Sequence, residues 1–152
     1  MKTSLTEGKY ITFKISNYIL ALPIDNIFKV ITCPPDLSKI LKHTKLAQMG
    51  KRTVMLLNLR ASLDPHLNHQ QDNDCFGRFL IITQGSQEEL YGILVDAPPN
   101  LLKISETSIQ SVPESFHHIG LPSWVSQIAI LNHKDQPSTI LMLDINQAFA
   151  LK

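Results

Sequence analysis

Charge is scarce in this chain. Only 18% of its 152 residues are Asp, Glu, Lys or Arg and the formal net charge is +1, against roughly 25% charged residues in an average soluble protein. Lys and Arg are scattered, with no basic stripe interleaved with aromatics, so there is no field to hold a nucleic acid. The same shortage leaves apolar surface that a binding partner could cover. Glycine numbers six, and none falls into a phosphate-cradling or dinucleotide-binding loop. The two cysteines, Cys33 and Cys75, lie in unlike contexts without Cys-x-x-Cys spacing. That excludes a disulfide framework and predicts free thiols in a reducing compartment. No apolar run approaches the roughly twenty residues that span a bilayer, and the opening Met1 to Gly8 has no secretory core. The expectation is a cytoplasmic protein without direct membrane insertion.

What the chain does have is a repeat. Thr53-Val-Met-Leu-Leu-Asn-Leu-Arg60 and Thr139-Ile-Leu-Met-Leu-Asp-Ile-Asn146 match as Thr, aliphatic positions, Asn or Asp in the sixth place and a polar end. Tyr18-Ile-Leu-Ala-Leu22, running on to Ile27-Phe-Lys-Val30, matches Tyr91-Gly-Ile-Leu-Val95, running on to Leu101-Leu-Lys-Ile104, in the same order. Two related halves are the simplest reading, and duplicated all-β modules usually act as scaffolds or binding surfaces.

Period-two alternation from Tyr10 to Ile15, turn chemistry at Ser16-Asn17 and a second run from Tyr18 to Leu22 predict an opening hairpin. Ile24 to Ile31 fits either a short helical turn or a third strand. Cys33-Pro34-Pro35-Asp36 breaks the chain, and Leu37 to Ala47 is a short helix or an irregular loop. Thr53 to Leu59 reads as a strand buried on both faces. Asp64 to Gly77 is polar and connects the halves. Phe79 to Thr83 and Tyr91 to Val95 repeat the hairpin, and strands follow near Val125 to Leu131 and Thr139 to Ile145, with Asp135 to Ser138 as the turn between them. Short strands at even spacing predict an all-β fold of small barrels or a sandwich.

Tyr10-Ile-Thr-Phe13 with Ile19-Leu-Ala-Leu-Pro-Ile24, Gly50 with Leu59-Arg60, Tyr91-Gly-Ile-Leu-Val-Asp96, and Leu141-Met-Leu-Asp-Ile145 together resemble the CheW-like coupling domains of bacterial chemosensory arrays. The resemblance spans nearly the whole chain. It implies a single domain over residues 1–152 made of two small five-stranded β-barrel subdomains with short helical turns, about 10–75 and 76–150, with strand exchange between them. It implies no enzymatic activity and no cofactor. It also implies two partners, the regulatory domain of a CheA-type histidine kinase and the cytoplasmic tip of a chemoreceptor, met at membrane-associated arrays.

Departures from the family pattern mark where partner choice differs. The family carries Asn-Leu-Arg-Gly where this chain has Ala47-Gln-Met-Gly50, so Gly50 is kept and Met49 replaces Arg. Lys29 stands where an acid is usual. The two family positions are expected to pair, so both members of the pair have changed, and one extra residue separates Gly50 from Leu59. By resemblance Ile24, Ile27 and Leu101 line a groove for a receptor helix, and Lys29, Met49, Gly50 and Asp96 belong to the same partner-binding set; core packing is the competing reading for the three apolar residues. Trp124 reads as packing rather than as a binding anchor.

Chemistry outside the resemblance is thin. His66-x-x-His69 and His117-His118 could each give two metal ligands, but neither has a Cys or carboxylate at a recognised spacing. There is no Gly-x-Ser-x-Gly elbow. Asp96 and Asp144 follow equivalent aliphatic strands, where they read as strand-end caps. Three functions follow: an adaptor coupling receptor to kinase in chemotaxis, phototaxis or pilus motility; a decoy that binds only the kinase and limits array growth; and, from another class, a small-ligand or hydrolytic barrel using Asp96 and the histidines.

Overall fold

A computed structural model describes residues 7–37, 46–57, 59, 63, 78–85, 88–114, 121–122, 124–133 and 136–145. Eleven strands run in chain order: β1 (Glu7–Ile15), β2 (Tyr18–Pro23), β3 (Ile27–Thr32), β4 (Leu46–Met49), β5 (Arg52–Leu56), β6 (Phe79–Gln84), β7 (Leu90–Val95), β8 (Asn100–Ser105), β9 (Ile109–Ser111), β10 (Val125–His133) and β11 (Gln136–Leu143). They form two sheets. Sheet A has the order β8-β1-β2-β11-β10-β9, and sheet B the order β3-β6-β7-β5-β4. The all-β, two-subdomain expectation therefore holds, with the three-residue β9 as a sixth strand in sheet A.

The opening hairpin forms as the alternation requires. Tyr10 pairs with Pro23 and Ile15 with Tyr18, and Ser16 takes a left-handed φ of 54° to close the turn. Ile24–Asn26 is a 3-10 turn and β3 begins at Ile27, so the segment that fitted either a helical turn or a strand contains both. Residues 38–45, 64–77 and 115–120 lie outside the described residues, and with them the two histidine pairs, Cys75 and most of the Leu37 to Ala47 segment.

The repeat shows itself in the pairing. β5 runs parallel to β7, with Met55 opposite Tyr91, and β11 runs parallel to β2, with Leu141 opposite Leu20. Each half's closing strand thus lies beside the opening hairpin of the other half. β3 pairs with β6, and its counterpart β8 with β1. Both sheets in consequence draw strands from both sides of residue 75. Sheet B takes residues 27–95 and sheet A takes residues 7–23 together with 100–143. The chain crosses between sheets at residues 24–26 and 96–99.

Three apolar clusters explain the long aliphatic runs. The largest lies between the sheets and includes Phe13, Leu20, Leu22, Ile81, Ile93, Trp124, Ile128 and Leu141. A second fills sheet B with Val54, Leu80, Ile82 and Leu90, and a third fills sheet A with Ala21, Ile104, Ala129 and Ile140. Neighbouring residues of one strand face different clusters: Ile140 and Met142 point into sheet A, while Leu141 and Leu143 point between the sheets. A strand covered on both faces has no polar side to show.

Two expectations need correction. Thr53 to Leu59 is not buried on both faces: β5 ends at Leu56, Thr53 and Met55 are exposed, and only Val54 within the strand is fully buried. Met55 is 37% exposed, whereas Leu141 at the matching place on β11 is 3% exposed and belongs to the inter-sheet cluster. The turn between the last two strands is also tighter than Asp135 to Ser138, because β11 already starts at Gln136 and Pro137 pairs with Asn132 near the strand's beginning, where a missing N–H is tolerated.

Candidate partner-binding surface

The seven sequence-derived positions fall into two groups. Ile24 and Asp96 sit on the two crossings between sheets, Ile24 exposed in its 3-10 turn and Asp96 exposed in the bend after β7. Leu101, on the edge strand β8, is 59% exposed and pairs with Ile11. Tyr10 pairs with both Pro23 and Leu102, so Ile24 and Leu101 lie at the same end of sheet A, one on each side of β1. Ile27 is half-buried and packs against the cluster between the sheets. Of the three residues assigned to the groove, Ile24 and Leu101 are therefore surface and Ile27 is partly core.

The second group lies on sheet B. Lys29 is exposed on edge strand β3, and Met49 is half-buried at the end of β4, packed against the sheet B cluster. Gly50, with φ of 65° and open space around it, makes the tight turn into β5, where a left-handed backbone favours glycine. Cys33 and Ile31 from the β3 side share one cluster with Ala47 and Met49 from β4. The two outer strands of sheet B thus curl toward each other, as a small barrel requires.

Sequence reasoning missed two residues at this closure. Phe28 is the extra residue of a bulge, since the β3–β6 register shifts between Ile27 and Lys29; a bulge redirects a side chain out of the ladder. Its ring, 44% exposed, has the Lys29 Nζ 5.7 Å and the Arg52 guanidinium carbon 5.3 Å from its centroid, both within cation–π range. Arg52 stands directly opposite Met49 in the β4–β5 hairpin, and its Nη2 donates to the Glu88 carbonyl oxygen. A cation therefore stands across the turn from Met49. The two-residue turn Gly50-Lys51 was the signal, because it forces 49 and 52 into register.

Around this site apolar residues are unusually exposed. Phe28 and Val30 on β3, Leu46 on β4 and Met55 on β5 all reach solvent, with Leu46 directly opposite Met55. Two of their counterparts in sheet A are buried: Ile104, which matches Val30, is 1% exposed against 38%, and Leu141, which matches Met55, is 3% exposed against 37%. Among the described residues the buried polar side chains include Thr12 and Thr83. Thr83 Oγ donates to the Tyr91 carbonyl, and the Trp124 Nε1, inside a fully buried ring, has no partner. Trp124 is thus a packing residue, as expected. Burial raises the Cys33 thiol pKa above its ordinary value.

Asp96 follows a sheet B strand and Asp144 a sheet A strand; the depression beside Asp144 is lined by Tyr10, Asn26, Gln127 and Met142 but not by Asp96. Among the described residues no three His, Cys, Asp or Glu side chains gather as a metal site, and no helix is long and apolar enough to cross a membrane.

This is a two-sheet β module with exposed apolar residues on β3, β4 and β5. The chain belongs to the CheW-like domain family, whose family model matches residues 9–152. Its fold is similar to that of the scaffolding protein TtCheW from Thermoanaerobacter tengcongensis, with a TM-score of 0.60 and 17% identity over 91% of this chain and 84% of that one. No curated protein matches significantly.

Proposed function

We propose that this protein is a non-catalytic chemosensory adaptor, holding the regulatory domain of a CheA-type histidine kinase next to the cytoplasmic tip of a receptor in chemotaxis, phototaxis or pilus motility. The observation that carries the reading is the CheW-like match over residues 9–152. The exposed apolar residues of β3, β4 and β5 support it, since an apolar centre with a polar rim is the usual make-up of a contact between proteins. Ile24, Ile27, Asp96 and Leu101 would contribute from the crossings between sheets, and Lys29, Met49 and Gly50 from the sheet B closure. Such a protein works by placing partners side by side and biasing which kinase state they stabilise.

A second reading rests on Lys29 and Met49: with both members of the family's pair replaced, the protein would keep the kinase, lose the receptor and limit array growth. Calorimetric titration of the full-length chain against the kinase regulatory domain and a receptor-tip fragment from its own genomic neighbourhood separates the cases. Binding of both supports the adaptor and binding of the kinase alone supports the decoy. Binding of neither removes both readings.

A further inference from the structure

We propose that Phe28, Lys29 and Arg52 form a docking patch for an acidic segment of a partner protein, one that presents carboxylates flanked by apolar side chains. The identity of that partner as an array component rests on the adaptor reading; the chemistry of the patch does not. Two cations share one aromatic ring here, at 5.7 and 5.3 Å from its centroid. Neither has a carboxylate partner among the described residues: the one hydrogen bond of the Arg52 side chain goes to a backbone carbonyl, that of Glu88. That bond fixes the guanidinium, while its remaining N–H donors stay available for a carboxylate in fork geometry. Lys51, exposed in the adjoining turn, is a further cation next to Arg52 in the chain.

In a chain whose net charge is only +1, Lys29 and Arg52 meet at one ring, and neither forms a salt bridge with a carboxylate among the described residues. Like charges on one ring repel, weakly at surface ionic strength, and an anion set between them would gain from both. The apolar half of the recognition is present too. Phe28 is 44% and Val30 38% exposed on the same strand, so carboxylates alternating with apolar side chains match the alternation of Lys and apolar residues along β3. Lys29 interrupting an exposed apolar edge strand would by itself be explained as protection against aggregation. That explanation does not require Arg52 to reach across from β5 to the same ring.

The test is an amide-resolved NMR titration of the full-length chain with a synthetic acidic peptide, acetyl-Glu-Leu-Glu-Glu-Leu-Glu-amide, and with its Gln counterpart. The expected result is that shift changes concentrate on β3 and the β4–β5 hairpin, weaken several-fold between about 50 and about 300 mM salt and are absent with the Gln peptide. Lys29→Gln/Arg52→Gln should weaken binding about tenfold or more, as loss of two charge-assisted contacts implies. Lys29→Gln alone, at an exposed edge-strand position, serves as the variant that leaves the fold untouched and should still weaken binding. Equal response to both peptides, shifts located elsewhere, or unchanged binding by the variants overturns the patch. A chain that binds the acidic peptide but neither array component retains the patch and loses the adaptor; the reverse pattern loses the patch alone.

Discussion

At the scale of single residues, Gly92 shows how narrow the interior of sheet B is. A Cβ there would lie 2.9 Å from Leu80 Cδ1 and 3.1 Å from Val54 Cγ1, and both neighbours are fully buried. Gly92 is flanked on either side by β5 and β6, so the backbone cannot yield without opening the ladder. Gly92→Ala should cost about 1–3 kcal/mol and Gly92→Val more, as overpacking does, read as a fall in the urea midpoint. A loss below about 0.5 kcal/mol for Gly92→Val would show that Leu80 can turn away. Cys33 gives a pH prediction. Its thiol is desolvated at the end of β3, where its N–H donates to the Arg78 carbonyl at 2.7 Å, and its pKa is raised in the folded state. The folded chain then holds that proton at pH values where the unfolded chain has released it. The stabilisation is complete below the ordinary thiol value of about 8.5 and falls as pH rises above it. Cys33→Ala should therefore show a shallower alkaline loss of stability than the parent; identical slopes would mean the thiol is not desolvated.

At the scale of elements, the repeat made the strands readable and concealed their faces. The runs Thr53 to Leu59 and Thr139 to Ile145 look alike, and the first reads as a strand buried on both faces. Ile140 to Leu143 are buried because the inter-sheet cluster covers one side and sheet A's interior the other; Met55 is 37% exposed and belongs to none of the three clusters. Periodicity reports apolar character, while cover is decided by tertiary packing. The same limit hid Phe28, whose outward turn comes from a bulge that no spacing announces, and Arg52, whose meaning needed the hairpin register. Those elements carry a specificity prediction. Met49 lies opposite Arg52, so Met49→Arg alone puts two like charges across one hairpin, whereas pairing it with Lys29→Glu supplies an opposite charge on β3. The double variant should gain affinity for a receptor-tip fragment and lose the acidic peptide. Calorimetry on both ligands checks this, and unchanged receptor affinity would count against the family pair as the determinant.

At the scale of the whole molecule, each half completes its sheet with strands of the other. The repeat predicted two halves and the resemblance implied a division near residue 75 with strand exchange, but the extent of exchange depends on pairings between strands more than a hundred residues apart, such as Leu20 with Leu141, and local sequence patterns do not encode such pairings. The consequence is mutual dependence. A fragment of residues 1–75 would hold β1 and β2 without β11 and β8, and β3 to β5 without β6 and β7, leaving Leu20, Leu22 and Val54 without the strands that bury them. With the inter-sheet cluster also divided, the hydrophobic gain lost is far larger than the few kcal/mol that keep a domain of this size folded. Residues 1–75 and 76–152 expressed separately should each lack strand dispersion in NMR spectra, and mixing them should restore a 1:1 complex with the spectrum of the intact chain. Independent folding of either fragment would mean that a half can form its own closed sheet, and would contradict the exchanged pairing of β5 with β7 and β11 with β2.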